Sequence, residues 1–357
     1  MLSVVLTFFI MPRLMLISHK KRLFDIPDMR KVHAMAIPRL GGITFFPIML
    51  MSVFITIICG IYFLLESDGV YITPNGIYVQ FLLFIVGLII LFLVGAMDDL
   101  VGVRYQSKFI SEIISASLLP IGGVWIDNLH GIFGIYELSP FVGVPLTILI
   151  IIYIINAINL IDGIDGLASG ICIIALATFG GFAIYARQIF IIIITFAMIG
   201  VLMAFWYINV YGNADRGRKI FMGDTGSLTL GYFISFVGLC LTDKAGTENL
   251  PQGMLLVCFS TLIIPLLDIL RVMVVRIVNH SNPFLPDMNH IHHLMLRTGL
   301  KFRQVMFSIL IITILFIGIT IVGILNDINL TILLLVDLFL WILFSAFLKL
   351  YLVKSEK

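Results

Sequence analysis

The sequence predicts an all-α membrane protein that crosses the bilayer about eleven times. Of its 357 residues, 61% are hydrophobic and only 12% are charged, and the mean hydropathy is +1.14. Soluble globular domains carry about twice that share of charged residues. The apolar residues also fall into long runs separated by short polar segments, which is typical of a multi-pass membrane protein. This composition excludes a soluble domain.

Each predicted helix is a run long enough to cross the hydrocarbon core, since a spanning α-helix needs about 20 mostly apolar residues. In chain order, the runs are centred near residues 9, 54, 88, 117, 152, 175, 199, 234, 266, 314 and 340. Neither an internal repeat nor a long linker divides them, so we expect one integral membrane domain over residues 1–357. An odd number of spans places the two termini on opposite sides of the membrane.

The positions of the basic residues predict the orientation of these helices. Lys and Arg are retained on the cytoplasmic side of a membrane protein. With the N-terminus outside, 19 of the 22 basic residues fall in cytoplasmic segments, and the exceptions are Arg13, Arg187 and Lys244. We therefore expect the C-terminus and the polar loops to face the cytoplasm.

The polar clusters of the chain all fall on this predicted cytoplasmic face. They comprise residues 19–42, 98–99, 159–165, 209–224 and 276–303. A lipid or ion transporter more often holds its ionisable residues near the bilayer midplane, at matching depths in two halves of the chain. The sequence lacks that symmetry, so the distribution favours an active site at the membrane surface over a pathway through the membrane.

Asp98 and Asp99 end the third predicted helix. Two adjacent carboxylates repel one another unless a cation is near, so one of them could bind or face Mg²⁺ while the other accepts a proton or orients a phosphate. The alternative is a helix end at the membrane surface with two solvated acids. This pair taken alone does not decide between them.

The segment NLIDGIDGL, residues 159–167, carries a second pair of acids. Asp162 and Asp165 are three residues apart, so both lie on one face if the turn is helical. A tight turn between two helices is the alternative, but it would not need the amides of Asn156 and Asn159 on the preceding helix. A CDP-alcohol phosphotransferase also combines membrane helices with Asp-Gly motifs, yet this segment lacks the Ala-Arg pair and the later aspartates of that compact motif.

The segment FMGDTGSL, residues 221–228, precedes the eighth predicted helix. Asp224, Thr225 and Ser227 can cap that helix, whose N-terminal amides attract anions. A carboxylate there is also a hard oxygen ligand suited to Mg²⁺. Capping alone is the alternative, and it leaves Phe221 and the two glycines of the segment unexplained.

His290, His292 and His293 form an HIHH cluster in a loop rich in arginine and asparagine. Three imidazoles could bind zinc, but these spacings do not share one helical face and no cysteine supports such a site. Binding of a phosphate or a sugar is favoured over zinc and over a plain surface cluster. Arg276, which precedes the cluster, would complement a diphosphate.

Two further acids lie inside predicted helices. Asp268 follows Pro265, which should bend the ninth helix, and it can either pair with Arg271 or act directly in the site. Asp337 lies in the last helix, where we expect no more than an interhelical hydrogen bond.

Five segments, taken in order, closely resemble the polyprenyl-phosphate N-acetylhexosamine-1-phosphate transferases, the superfamily of MraY/WecA type. They are RKVHAMAIPRLGG (30–42), MDDL (97–100), NAINLIDGIDGLASG (156–170), FMGDTGSLTLG (221–231) and HIHH (290–293). The stretch SNPFLPDMNHIHHLMLRTG resembles the branch that uses UDP-N-acetylglucosamine. The branch that uses UDP-N-acetylmuramoyl-pentapeptide usually has three consecutive histidines and a different first loop, and it is the alternative.

The resemblance implies a reaction and its partners. Undecaprenyl phosphate would attack the β-phosphate of UDP-N-acetylglucosamine, giving undecaprenyl-diphospho-N-acetylglucosamine and UMP, with Mg²⁺ or alternatively Mn²⁺ as the cofactor. The protein would lie in the lipid bilayer of the bacterial inner (plasma) membrane. A nucleic-acid partner is not expected, and the choice between a monomer and a homodimer stays open, as does the glycan that the product feeds.

The resemblance also implies a role for each matching residue. The metal ligands that it implies are Asp224 and Asp99. The catalytic carboxylates that it implies are Asp98 and Asp99, one of which would orient or deprotonate the lipid phosphate, and Asp162 and Asp165, which would help to hold the nucleotide. The substrate-binding residues that the resemblance implies are Asn159, Asn209, Phe221, Arg276, His290, His292, His293, Lys31 and His33. Phe221 would stack on uracil, and Asn213 is an alternative to Asn209.

Overall fold

The computed structural model describes residues 1–21, 23, 37–65, 77–242, 250–280 and 289–355. Lys31 and His33 lie outside the described residues. Within these ranges the chain is α-helical apart from short connections, one 3₁₀ helix and one β-hairpin. The predicted all-α polytopic fold is therefore confirmed.

Thirteen α-helices follow one another in the part of the chain that the structure describes. They are α1 (Leu2–Lys21), α2 (Phe45–Leu65), α3 (Ile77–Val101), α4 (Tyr105–Ile121), α5 (Pro140–Ile161), α6 (Leu167–Tyr185), α7 (Ile189–Tyr211), α8 (Gly223–Thr242), α9 (Met254–Thr261), α10 (Ile263–Val278), α11 (Ile291–Arg297), α12 (Phe302–Leu325) and α13 (Leu330–Ser355). The 3₁₀ helix Gly41–Thr44 leads into α2. The antiparallel strands β1 (Asn128–Ile132) and β2 (Ile135–Glu137) form the hairpin between α4 and α5.

Nine of the described helices are long and apolar enough to cross a membrane. They are α1, α2, α3, α5, α6, α7, α8, α12 and α13. Helices α9 and α10 are bent by 68° at the break between them, and the pair is long and apolar enough to form a tenth span. The predicted bend at Pro265 is confirmed, because a proline cannot donate to the carbonyl four residues earlier, here that of Thr261, where α9 ends.

The predicted span near residue 117 corresponds to α4, which has 17 residues. It runs antiparallel to α3 along its length: Lys108 lies beside Asp98, and the Ser115 hydroxyl donates to the Gly87 carbonyl at 3.1 Å. Further along, Gly122 lies beside Gln80. Each of the eleven predicted runs thus corresponds to one helix or to the bent pair, but α4 is not among the candidate spans, so the described residues give nine spans, or ten with the bent pair, where about eleven are predicted.

Helix α8 lies at the centre of the bundle, against α3, α5 and α6. The Phe84 ring of α3 stacks on the Phe236 ring of α8 with centroids 4.0 Å apart. On another side, a Cβ placed on Gly231 would lie 2.6 Å from the Ile155 Cα, so the α5 and α8 backbones meet directly. Small residues allow this close approach between membrane helices, and the α5–α8 contact aligns polar residues further along both helices.

Gly231→Ala is expected to destabilise the protein by about 1–3 kcal/mol, because the added methyl group overlaps a backbone atom that cannot move aside cheaply. The matched control is Gly318→Ala, where a Cβ in the membrane helix α12 would meet nothing within 4 Å. Thermal unfolding in detergent should separate the two variants. Equal melting temperatures would contradict the close α5–α8 contact.

The polar motifs come together at one end of the bundle, which we call the site end. Here Asp99, near the end of α3, bonds to the first residues of α8. Gly163, between α5 and α6, lies against His292 of α11. At the opposite end, the backbone amide of Phe133 in the hairpin donates to the Thr331 hydroxyl at 2.8 Å. Motifs more than 100 residues apart in sequence therefore share one surface of the protein.

Candidate active site

The first part of the site is the junction between α3 and the beginning of α8. The Asp99 carboxylate accepts hydrogen bonds from the amide of Asp224 at 2.8 Å, and from the amide and hydroxyl of Thr225 at 2.9 and 2.6 Å. Gly223 has a φ of +74°, and a Cβ there would lie 2.0 Å from the Arg39 carbonyl oxygen. Asp99 thus caps α8 from another helix and fixes the residue that follows Gly223.

Asp224 is the centre of a polar cluster contributed by four elements. Its carboxylate pairs with the Lys108 ammonium of α4 and accepts a hydrogen bond from the Asn159 amide of α5 at 3.1 Å. The same amide donates to the Ser227 hydroxyl at 2.8 Å. The Lys108 ammonium also lies 3.5 Å from the Asp98 carboxylate. Two carboxylates therefore share one cation at the site end of the bundle.

Lys108 was missed as a site residue by the sequence reasoning, which used it only to set the orientation of the chain. A lysine in the first turn of an apolar helix, ten residues after Asp98, was the available signal. Glu112 was missed too, although it is 1% exposed and accepts a hydrogen bond from the Asn156 amide at 2.6 Å. This pair extends the polar cluster deeper between α4 and α5.

Asp162 is the residue after α5, where it is half-buried between the helix and the following turn. Burial raises the pKa of the Asp162 carboxyl well above its ordinary value of 3.8, and the carboxylates of Asp224, Asp165 and Asp99 raise it further. Negative charge is therefore concentrated at this point. A cationic ligand would relieve the repulsion among these carboxylates, and titratable groups perturbed in this way concentrate at functional sites.

Asp162→Asn is expected to stabilise the metal-free protein by about 1 kcal/mol, as neutralising a strained functional group often does. The folded pKa lies above the unfolded one, so between the two values the folded state binds more protons, and the stability contributed by Asp162 falls as the pH rises. In EDTA, the advantage of the variant should therefore be larger at about pH 8 than at about pH 5. Asp215→Asn, at an exposed position, is the control, and an advantage that shrinks with pH would contradict the assignment.

Asp165 and Asn209 organise the neighbouring turns. Asp165 forms an ion pair with Lys219. The Asn209 side chain accepts from the amide of Gly166 at 2.6 Å and donates to the carbonyl of Ile220 at 2.8 Å. Asn209 is only 4% exposed, so the structure places it between the two loops, where it holds them together.

Phe221 lies in a segment that pairs with the end of the first loop. Its amide donates to the Pro38 carbonyl at 2.8 Å, and its carbonyl accepts from the Gly41 amide at 2.9 Å. The next pair joins the Gly42 amide to the Met222 carbonyl at 2.7 Å. A Cβ on Gly42 would lie 2.1 Å from the amide nitrogen of Gly226, so only glycine fits there. Residues 38–42 are thereby fixed to the segment that carries Asp224.

The histidine cluster lies beside the Asp-Gly turns, which are the two turns at Asp162-Gly163 and Asp165-Gly166. The His290 and His292 rings are parallel, with centroids 5.8 Å apart, and a Cβ on Gly163 would lie 2.6 Å from the Nε2 atom of His292. Neither ring nitrogen of His292 has a hydrogen-bond partner among the described residues. Burial, with His293 beside it, lowers the pKa of His292 to about 3, so this ring is neutral.

The remaining predicted residues lie in α10 and α13. Arg276 lies in the last turn of α10. Of the two alternatives for Asp268, the structure shows the pairing with Arg271, at 2.7 Å. The predicted interhelical hydrogen bond of Asp337 is confirmed as well, because it accepts from the Thr320 hydroxyl of α12 at 3.0 Å. Within the described ranges, no three His, Cys, Asp or Glu side chains are arranged to hold a metal by themselves.

The sequence of this chain is similar to one family of known proteins. A family model described as glycosyl transferase family 4 matches residues 81–242, which include Asp98, Asn159 and Asp224. The undecaprenyl-phosphate alpha-N-acetylglucosaminyl 1-phosphate transferase of Pasteurella multocida (strain Pm70) is 32% identical over 290 residues, which are 81% of this chain and 75% of that protein.

Two further relatives extend the comparison. The protein of the same name from Salmonella typhi is 30% identical over 291 residues, 81% of this chain and 73% of the relative. A probable undecaprenyl-phosphate N-acetylglucosaminyl 1-phosphate transferase from Bacillus subtilis (strain 168) is 29% identical over 312 residues, 87% and 79% of the two chains. The similarity therefore extends well beyond the segment that the family model matches.

Proposed function

Because the chain belongs to glycosyl transferase family 4, we propose that it transfers N-acetylglucosamine 1-phosphate from UDP-N-acetylglucosamine to undecaprenyl phosphate. The products are undecaprenyl-diphospho-N-acetylglucosamine and UMP. The observation that carries this proposal is the cluster in which Asp98 and Asp224 share the Lys108 ammonium at the site end of the bundle. The names of the relatives support the choice of substrates.

The geometry suits a transfer between two phosphates. A terminal oxygen of the lipid phosphate forms a bond to the β-phosphorus of the donor, and the bond from that phosphorus to the bridging oxygen breaks, so the electron pair leaves with UMP. Lys108 offsets negative charge as the two phosphates approach, and Asn159 holds the Asp224 carboxylate in place. Such reactions depend mainly on positioning and on electrostatic stabilisation.

The donor set fits Mg²⁺, which proteins usually hold through one or two carboxylates together with substrate phosphates. Asp224 and Asp98 are the carboxylates that would hold it. Asp99 already accepts three hydrogen bonds from α8, which favours a role in positioning Asp224. When bound, the metal ion would offset the charge of the reacting phosphates.

Two other expectations remain part of the proposal. Phe221 and Arg276 would contact the nucleotide and the diphosphate, and Asp162 and Asp165 would lie beside them. The site end would face the cytoplasm, since the basic residues of the chain concentrate there. This orientation gives the site access to a nucleotide sugar, while the surrounding helices give it access to the lipid.

The test is transfer of labelled N-acetylglucosamine phosphate to undecaprenyl phosphate by the purified protein, with and without Mg²⁺. Both the lipid product and UMP are measured. Magnesium-dependent formation of the two in equal amounts is the expected result. Product from UDP-N-acetylmuramoyl-pentapeptide alone would assign the protein to the other branch of the superfamily, and no product from either donor would overturn the proposal.

A further inference from the structure

We propose that Asp268 of α10 is a positioning residue that fixes the ring orientation and the proton of His290 for donor binding. This inference rests on the proposed function, because it names the part of the site that holds the donor. Asp268 does not need to touch a substrate itself. It acts through the histidine cluster, which lies against the Asp-Gly turns of the site.

Asp268 is 1% exposed, and both oxygens of its carboxylate have hydrogen-bond partners. The Oδ1 atom accepts from the guanidinium of Arg271 at 2.7 Å and from the amide of Ile291 at 3.0 Å. The Oδ2 atom lies 2.9 Å from the Nδ1 atom of His290. Arg271 also donates to the Asn289 carbonyl. One buried ion pair thus binds three consecutive residues of the histidine segment to α10.

The chemistry of these contacts fixes the proton on His290. A carboxylate that accepts from a guanidinium and a backbone amide is ionised and can only accept, so Nδ1 of His290 must carry a hydrogen. Nε2, on the opposite edge of the ring, is then left for a ligand. It accepts a hydrogen bond from a sugar hydroxyl or amide when the ring is neutral, or meets a phosphate oxygen when the ring is protonated.

The position of the ring ties this arrangement to the site. His290 is parallel to His292, and His292 contacts Gly163, which lies between Asp162 and Asp165 in sequence. His292 therefore links His290, which Asp268 holds, to the Asp-Gly segment of the site. Arg271 balances the charge of the Asp268 carboxylate and so offsets the free-energy cost of burying it.

Asp268→Asn tests the proposal, because the amide keeps the size of the side chain but would donate to Nδ1 and move the ring proton to Nε2. The neutral Nε2–H group can neither accept from a hydroxyl nor supply positive charge to a phosphate. We expect the KM for UDP-N-acetylglucosamine to rise roughly 10–100-fold, as when a group that orients a ligand is lost. The KM for undecaprenyl phosphate should not change, and kcat should fall much less than KM rises.

A double-mutant cycle separates positioning from a general loss of structure. If Asp268 acts through His290, Asp268→Asn should cost nothing further in a His290→Gln background, whereas independent structural damage would add to it. Asp337→Asn, another buried aspartate in a membrane helix, is the matched control and should retain wild-type KM. Asp268→Glu, which keeps the carboxylate, should recover part of the affinity and serves if the asparagine variant does not fold.

Binding of UDP-N-acetylglucosamine, measured by calorimetry, distinguishes the two proposals. If the wild-type protein neither binds nor uses this donor, the proposed function fails. If the wild-type protein binds it and the Asp268→Asn variant binds it equally well, or if the costs of the two substitutions add, the role of Asp268 is overturned.

Discussion

Asp224→Asn should lower turnover at least roughly 1,000-fold, since a charge that stabilises reacting phosphates contributes several kcal/mol to the barrier. The substitution preserves the size of the side chain and can still accept from Asn159. It removes the negative charge that faces Lys108 and that would bind Mg²⁺. The measurement is the initial rate of lipid product over a range of Mg²⁺ concentrations, at saturating levels of both substrates.

The control for this variant is Asp215→Asn, which makes the same chemical change at an exposed position in the loop between α7 and α8. It should keep the wild-type rate. The cap that Asp99 provides uses backbone amides of α8, together with the Thr225 hydroxyl, so the Asp224 variant should also keep its thermal stability. A folded Asp224→Asn protein with near wild-type turnover would remove Asp224 from the site.

Lys108→Met should reduce kcat/KM for the donor by roughly 100–1,000-fold, the scale found when one charge-stabilising donor is removed from a preorganised site. Methionine keeps much of the apolar stem but leaves Asp98 and Asp224 without their shared cation. The site then loses one of the positive charges that offset these carboxylates and the incoming phosphates. Steady-state kinetics with each substrate varied in turn measure the loss.

Lys108→Arg should recover part of this activity, because it restores the charge with a different geometry. Lys349→Met, at an exposed position near the end of α13, should have no effect on the rate. If Lys108→Met and Lys349→Met behave alike, the shared cation has no part in the reaction.

The helices could be predicted from the sequence because the bilayer limits what a chain can do. Backbone groups in hydrocarbon must bond within their own segment, so each apolar run had to be a helix, and Pro265 indicated where one of them bends. The gathering of the Asp98, Asp162, Asp224 and His290 motifs at one end followed from counting spans. That much of the site was already present in the order of the segments.

The partners of each side chain could not be predicted in the same way. The ion pair between Lys108 and Asp224 joins residues 116 positions apart, and it depends on how α4 and α8 are rotated about their axes. Asn209 looked like a ligand contact, yet its side chain bonds to Gly166 and Ile220. The polar residues that hold a site together are of the same types as those that touch a substrate, and only the packing of the folded protein tells the two roles apart.

The burial of α8 has a consequence for how the protein responds to its membrane. Residues Thr225–Leu239 are buried without interruption, so α8 is surrounded by other helices and has almost no surface left for contact with lipid. Bilayers that are too thick or too thin act on a protein through the tilt of its lipid-facing helices. Such hydrophobic mismatch would act first on outer helices such as α13, while α8, which carries Asp224 in its first turn, would be shielded from it.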